Sequence, residues 1–445
     1  MIITVVCDVL GEENNGQTIA AMNLIRFLKK QGHIVRILCA DQNKQHLDDV
    51  FVVPNLNLGK ILNKYVNKVG VTLAKPDKEI INKALDNCDE VHIMTPLILG
   101  TCVGKIAKSR NIPITAGFHM QAENFTSYFK LNKIKYANNL VYKYIWKNLY
   151  SYVDGIHYPT QFIRNIFETS IKKTTPGYVI SNGVHSYVEK RDTPKPDELK
   201  DKYVILSTGR YAREKSQDTL IRAVALSKYK DKIQLILGGK GLKEKSYRKL
   251  ATKLDVPVKF DFFSRTAIID VLNYSDMYVH PAEVELEGIS CLEAIACGKL
   301  TIVSDSKLSA TKEFAIDDKC IFKCRDPKDL ARVIDFWIEN PKLAKEYEQK
   351  YLESAKIFNQ EECMKAMEKM IFDVVEKRKE VNQNWFTSYF LLFFFVVISN
   401  CFFASFDIVI DSINLFINQL VVLFQNWISI FVFLNNIFTV FYAIF

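Results

Sequence analysis

The sequence lacks the short signatures by which many α/β proteins hold a nucleotide or a metal. It has no G-x-G-x-x-G turn, no G-x-x-x-x-G-K-[ST] loop and no D-x-D pair. Those absences exclude a dinucleotide fingerprint, a P-loop and a metal-bridged sugar nucleotide respectively. No Cys/His cluster has zinc-ligand spacing, and no metal or other cofactor is expected. The ten cysteines are scattered without a C-x-x-C pair, and no cleavable leader precedes "MIITVVCDVLG". Reduced thiols in a cytosolic setting are therefore expected rather than a disulfide scaffold. Basic stretches occur without a recognition motif beside them, so nucleic acid is not an expected partner.

Positive charge is missing from one end of the chain. Every Lys and Arg lies before Val381, and from there to Phe445 the only charged side chains are Asp407 and Asp411. The run Trp385 to Ala404 has about the 20 residues that span a bilayer core. A second apolar stretch begins near Ile413, with Asn400, Asn414, Asn418 and Asn426 interrupting the pattern. Residues 381–445 are expected to form a membrane-associated tail. The preceding "VVEKRKE" then belongs on the cytoplasmic side, because Lys and Arg stay inside.

The remaining chain alternates apolar runs with amphipathic stretches, the pattern of a doubly wound α/β architecture. Predicted strands are "IITVVCDV", "HIVRILCA", "DEVHIMT", "IPITAGFH" and "DGIHYPT". After the polar connection "VHSYVEKRDTPKPDELKD" the rhythm restarts with "YVILSTGR", "IQLILGG", "VKFDFF", "MYVHPA" and "LTIVSD". Two Rossmann-like domains, residues 1–182 and 183–375, are expected to face a cleft, with ligands beyond the carboxyl ends of the strands.

Four spots follow predicted strands. In "GEENNGQT", Gly16 can bring backbone N–H groups close to an anionic or hydroxyl-rich ligand, or form an ordinary turn. In "STGRYAREKS", Arg210 and Lys215 suit a diphosphate, by fork and by point charge, or belong to a solvated loop. His119 ends an apolar strand, where a lone histidine is commonly structural. The stretch "AEVELEGISCLEAIACG" places Glu283, Glu285, Glu287 and Glu293 among small and apolar residues. Acids in a first helical turn favour the dipole. That explains Glu293 poorly, because it lies well inside the helix.

Taken in order, these elements resemble the retaining nucleotide-sugar glycosyltransferases of the GT-B fold, family 4 type, over about residues 1 to 375. The resemblance implies that Glu285 faces the donor sugar, that Glu293 accepts from the ribose hydroxyls, and that Gly288, Ile289 and Ser290 present N–H groups to phosphate. Arg210 and Lys215 would then hold the diphosphate and His119 would contact the sugar, with no divalent metal required. Glu287 stands where many members have an aromatic residue, and Glu283 reads as a surface residue. In "GKILNKYVNKVG", Lys60, Lys64 and Lys68 recur every four residues opposite an apolar face, the pattern of an in-plane membrane helix. The segment "NFTSYFKLNKIKYANNLVYKYIWKNLYSYV" holds five lysines among many aromatics and no acid, which favours anionic headgroups. The whole resembles the branch that glycosylates diacylglycerol, with UDP-glucose as the implied donor, a lipid acceptor, and catalytic domains on the cytoplasmic face of the cell membrane. Another lipid-linked, cell-wall or capsule glycan is the alternative acceptor. A catalytically silent membrane partner is the third reading, and intact Arg210, Lys215, Glu285 and Glu293 argue against it.

Overall fold

Apolar, β-branched runs such as "IITVVC" and "YVILST" are too short and too apolar throughout for surface helices, and they form buried parallel strands. The computed structural model describes residues 1–8, 10, 16–57, 59, 73–127, 134–403 and 417. Its first sheet has seven strands: β1 (Ile2–Cys7), β2 (Ile34–Cys39), β3 (Val50–Val52), β4 (Glu90–Ile93), β5 (Ile114–Gly117), β6 (Gly155–Tyr158) and β7 (Gly177–Val179). Its order is β3-β2-β1-β4-β5-β6-β7, with every pair parallel.

The second sheet is built from β8 (Tyr203–Thr208), β9 (Ile233–Gly238), β10 (Val258–Asp261), β11 (Met277–His280), β13 (Thr301–Ser304) and β15 (Ile321–Phe322), in the order β10-β9-β8-β11-β13-β15. Two short strands, β12 (Val284–Glu285) and β14 (Leu308–Ser309), pair with each other outside it. In both sheets the strand order reverses beside the first strand, between β1 and β4 and between β8 and β11. A crevice opens at such a point.

The helices are α1 (Gly16–Lys30), α2 (Lys78–Ala84), α3 (Ile98–Ser109), α4 (Ala122–Ser127), α5 (Lys135–Ile145), α6 (Gln161–Ile171), α7 (Gln217–Leu226), α8 (Glu244–Lys253), α9 (Ala267–Tyr274), α10 (Ile289–Ala296), α11 (Pro327–Glu339), α12 (Pro341–Ser354) and α13 (Gln360–Phe403). Local chemistry sets their starts. Asp77 accepts from Glu79 and Ile80 to begin α2, and Asp326 accepts from Lys328 and Asp329 ahead of a proline at the first position of α11.

The chain crosses between the sheets twice, and the crossings touch. Val184 N donates to Phe358 O at 2.7 Å and Gln360 N donates to Val184 O at 3.0 Å. Gly183, at φ +74°, leaves no room for a side chain there, since a Cβ would lie 2.6 Å from Gln360 Cα. After the second crossing, Cys363, Met364, Met367, Met370 and Ile371 of α13 pack with Ile3, Val5, Leu24 and Leu28 of the first sheet and α1. Met1–Glu376 is one compact unit and Lys377–Phe445 a second. Among the described residues no helix is long and apolar enough to cross a membrane. The expected tail falls mostly outside the described residues, as do Lys60, Lys64 and Lys68. No disulfide forms among the described cysteines.

Candidate functional site

The strand ends flanking the β8/β11 crevice carry a continuous polar chain. Lys215, at the end of the turn Arg213–Lys215, forms an ion pair with Glu285, and His280 Nε2 lies 3.0 Å from the same carboxylate oxygen. The Tyr278 hydroxyl, 3.2 Å from His280 Nδ1, is also 3.2 Å from Ser290 Oγ in the first turn of α10. Burial would raise the Glu285 carboxyl, but Lys215 and His280 together hold it well below the usual carboxylate range. It is thus an ionised acceptor at any ordinary pH. The sequence reads Lys215 beside Arg210 as a phosphate pair; the structure also pairs Lys215 with Glu285. Arg210, about half exposed, approaches Glu214 at 3.6 Å.

Glu293 projects from α10 toward Arg265, whose Nη1 is 3.7 Å from Oε1. Burial raises the Glu293 carboxyl, against the pull of Arg265. The Arg265 Nη2 is buried with no hydrogen-bond partner among the described residues. A buried donor of that kind wants an acceptor. Gly288 precedes α10 at φ +90°, and a Cβ there would meet Thr311 Cγ2 at 2.6 Å. Only glycine allows this turn, which leaves the N–H groups of Ile289 and Ser290 open at the helix start. Gly16, opening α1 on the other domain, faces that same helix start: a Cβ on it would be 3.5 Å from Ile289 Cδ1.

His119 follows β5 with its ring folded over Gly117, so that a Cβ on Gly117 would lie 2.5 Å from its Nε2. That nitrogen is buried and unpartnered among the described residues. Burial, then the neighbouring His157 and His92, keep the ring neutral. His157 lies edge-on to it with ring centroids 5.3 Å apart.

Two acids depart from the reading of the sequence. Glu283 is not a surface residue: it is buried and accepts from Arg325 Nε at 2.7 Å. A long-range partner 42 residues away left no local signal. Glu287, in the position of the usual aromatic, turns to the interdomain crossing, accepting from Ser181 Oγ at 2.6 Å and Asn182 N at 3.0 Å. Burial pushes its carboxyl up to about 7 against those bonds. Two further contacts hold the same loop from the first domain. Thr160 Oγ1 donates to Leu286 O at 3.0 Å, and Gln121 Nε2 donates to Leu308 O, on the strand paired with β12, also at 3.0 Å. None of these clamp residues was a candidate from sequence, because each bond spans more than 100 positions.

Two doubly wound domains whose switch-point loops meet across one cleft, with an ionised acid, cations and open helix N–H groups between them, define a GT-B transferase. Residues 14–186 match the family described as Glycosyltransferase Family 4 and residues 188–353 the family described as Glycosyl transferases group 1. The chain is a GT-B glycosyltransferase built of these two domains. It is 23% identical to an alpha-monoglucosyldiacylglycerol synthase of Streptococcus pneumoniae over 61% of this chain and 64% of the relative, just under two thirds of its length. The enzyme of the same name from Acholeplasma laidlawii is 22% identical over 83% of this chain and 96% of its own. The fold resembles that of Anabaena HepE, solved with UDP and glucose: TM-score 0.64, 16% identity, 84% of this chain and 100% of that one. The catalytic domain of a cholesterol-alpha-glucosyltransferase from Helicobacter pylori is 43% identical over 34% of this chain and 97% of its own, with a TM-score of 0.32.

Proposed function

We propose that this glycosyltransferase moves a hexose, with retention of anomeric configuration, from UDP-glucose to the hydroxyl of a membrane lipid such as diacylglycerol. The observation that carries the reading is the chain Lys215–Glu285–His280–Tyr278–Ser290, which ties a cation, a fixed anion and a helix N-terminus into one preorganised wall. As the bond between sugar and phosphate breaks, negative charge grows on the leaving diphosphate. Lys215, Arg210 and the N–H groups of Gly288, Ile289 and Ser290 stabilise that charge without reorganising. Glu285 accepts from sugar hydroxyls, and Glu293 accepts from the ribose. The acceptor hydroxyl attacks from the face the leaving group departs, and its proton goes to a phosphate oxygen. His119, neutral by burial, contacts the sugar as a hydrogen-bonding group and not as a cation. In this scheme charge is neutralised by side chains and N–H dipoles, so no divalent metal is required.

The lipid acceptor is supported by the names of the two synthases and by a surface of the first domain. On α5, Tyr136, Leu140 and Tyr144 are exposed at four-residue spacing, with Lys135 and Lys143 of the same helix, and Lys147 just after it, also exposed. No acid occurs between Glu123 and Asp154. Such a face suits an anionic membrane surface on the cytoplasmic side. The test is to incubate the full-length protein with labelled UDP-glucose, UDP-galactose and GDP-mannose in vesicles carrying diacylglycerol, a sterol or a polyprenyl-linked sugar. Labelled α-glucosyldiacylglycerol formed in EDTA is the expected product. Label confined to another lipid would replace the acceptor, an inverted linkage would overturn retention, and activity lost in EDTA would overturn metal independence.

A further inference from the structure

A second cleft, separate from the donor crevice, lies on the outer face of the second domain between α7 and α8. Its volume is about 500 Å³, and none of Arg210, Lys215, Glu285 or Glu293 lines it. The lining is cationic: Arg213, Arg222, Lys243, Lys249, Lys253 and Arg325. Asp218 is the single carboxylate among the residues lining it. Spacing explains the convergence, since Lys249 and Lys253 stand one turn apart on the same side of α8. Among the described residues, no ion pair or side-chain hydrogen bond engages Arg213, Arg222, Lys243, Lys249 or Lys253. Lysines and arginines elsewhere on this surface commonly find a carboxylate within reach, as Lys29, Arg164, Lys228 and Arg332 do. Five unpaired cations around one concavity repel each other, and low-dielectric walls focus their field on whatever enters. The chemistry that relieves this is a multivalent oxyanion.

The cleft is wired to the catalytic wall at two points. Arg213 lines the cleft and lies two residues from Lys215 in one tight turn. Arg325 also lines the cleft, donates to Glu283 at 2.7 Å, and reaches the Arg213 carbonyl at 3.3 Å. Glu283 lies two residues from Glu285, and its N–H donates to Glu214 O at 2.8 Å. Both members of the Lys215–Glu285 pair therefore sit two residues from a group anchored to the cleft.

We propose that this cleft is a binding site for a phosphate-bearing anion, and that its occupant shifts the Lys215–Glu285 pair by competing with Glu283 for Arg325. The binding stands apart from the reading of the donor site; the coupling rests on it. The shared ligand chemistry is phosphate, from a soluble metabolite or from a lipid headgroup. Calorimetric titration of the full-length protein with inorganic pyrophosphate should show a saturable site that survives in Arg210→Ala/Lys215→Ala. That site should weaken by roughly tenfold or more in Arg222→Glu/Lys249→Glu, which removes two charge-assisted contacts. Both reversed side chains are exposed, so melting temperature and basal transfer should stay at wild-type values. In a parallel arm, phosphatidylcholine vesicles with and without phosphatidylglycerol replace pyrophosphate. Pyrophosphate binding that depends on Arg222 and Lys249 assigns a soluble ligand. Dependence seen only with phosphatidylglycerol assigns a headgroup. Binding that is absent in both arms, unchanged in Arg222→Glu/Lys249→Glu, or lost only in Arg210→Ala/Lys215→Ala overturns the site. Coupling is read separately: the anion should change the transfer rate of the wild type but not of Arg325→Gln. An equal response in both overturns the coupling while leaving the binding result intact.

Discussion

Lys215 and Glu285 form an ion pair in which each side chain is largely withdrawn from water, 16% and 15% exposed. One partner alone would leave a charge in a poorly solvated site. Lys215→Ala should therefore lower kcat about 100-fold or more, the usual cost of losing one preorganised contact to developing charge. Glu285→Gln should also lose activity, and the double variant should lose less than the product of the two single effects, because the partners act as a unit. Arg210→Ala should lower kcat with no change in melting temperature, since among the described residues its side chain makes one long contact, to Glu214. Steady-state kinetics on the four variants beside the wild type, with a melting curve for Arg210→Ala, checks these statements, and near wild-type turnover in both cation variants would remove the assignment.

Much of the scaffold is legible from local sequence. All ten predicted strands form, because parallel strands are short, mostly buried apolar runs between turns, with the edge strand β10 the most exposed. The strands that sequence did not reveal, such as Val50–Val52, Gly177–Val179 and the pair Val284–Glu285 with Leu308–Ser309, are two or three residues long and take their pairing from distant neighbours. The same divide runs through the site. Glu285, Glu293 and Gly288 were visible because they fall within one short stretch at the spacing of the family the sequence resembles. Arg265, Arg325 and the clamp formed by Gln121, Thr160 and Asn182 were not, because they act across the fold, while His280, only five residues from Glu285, reads in sequence as one more member of the strand "MYVHPA". Glu287 was visible only as a departure from a pattern, and its partners explain it.

Glu293 and Arg265 lead to a prediction that separates binding from chemistry. Their charges approach to 3.7 Å on the wall assigned to the ribose, away from the Lys215–Glu285 pair. Glu293→Gln keeps the shape and weakens the acceptor, and Arg265→Ala removes a buried donor. Each should raise the donor KM and leave kcat within a few-fold of the wild type, as for an interaction equal in ground and transition states. A fall in kcat with unchanged KM would place these residues at the reacting bond instead.

Glu287 supplies a pH dependence whose sign follows from burial. Its carboxyl titrates near 7 in the folded protein against an ordinary value of 4.5, so the folded state holds the proton more tightly than the unfolded chain. The resulting stability is fully present below about pH 4.5 and is lost as pH rises through 7, a change of about 3 kcal/mol. Glu287→Gln cannot ionise, and a flip of the Asn182 amide restores its hydrogen bonds. Between pH 5 and 7.5 the melting temperature of the wild type should therefore fall relative to that of the variant. Parallel pH profiles for the two proteins would show that this carboxylate does not carry the dependence. Asp8 and Glu90, raised by burial to about 6 and about 8, contribute the same tilt to both proteins and cancel in the comparison.

The exposed face of α5 gives the last test, which separates capture of a lipid surface from chemistry at the cleft. Lys135, Lys143 and Lys147 project beside Tyr136 and Tyr144, which are 73% and 66% exposed. Each lysine near an anionic surface contributes about 1 kcal/mol, screened within a Debye length. Reversing all three to Glu should weaken the preference of the full-length protein for phosphatidylglycerol over phosphatidylcholine vesicles and slow transfer to lipid. Hydrolysis of the donor by water should continue at the wild-type rate, since no residue of the donor wall is touched. Reversal of Lys60, Lys64 and Lys68 tests the second basic segment in the same assay, with the two effects expected to add. Equal vesicle preference and equal transfer in wild type and the α5 variant would show that this helix is only a solvated face, and the lipid acceptor would then rest on the named relatives alone.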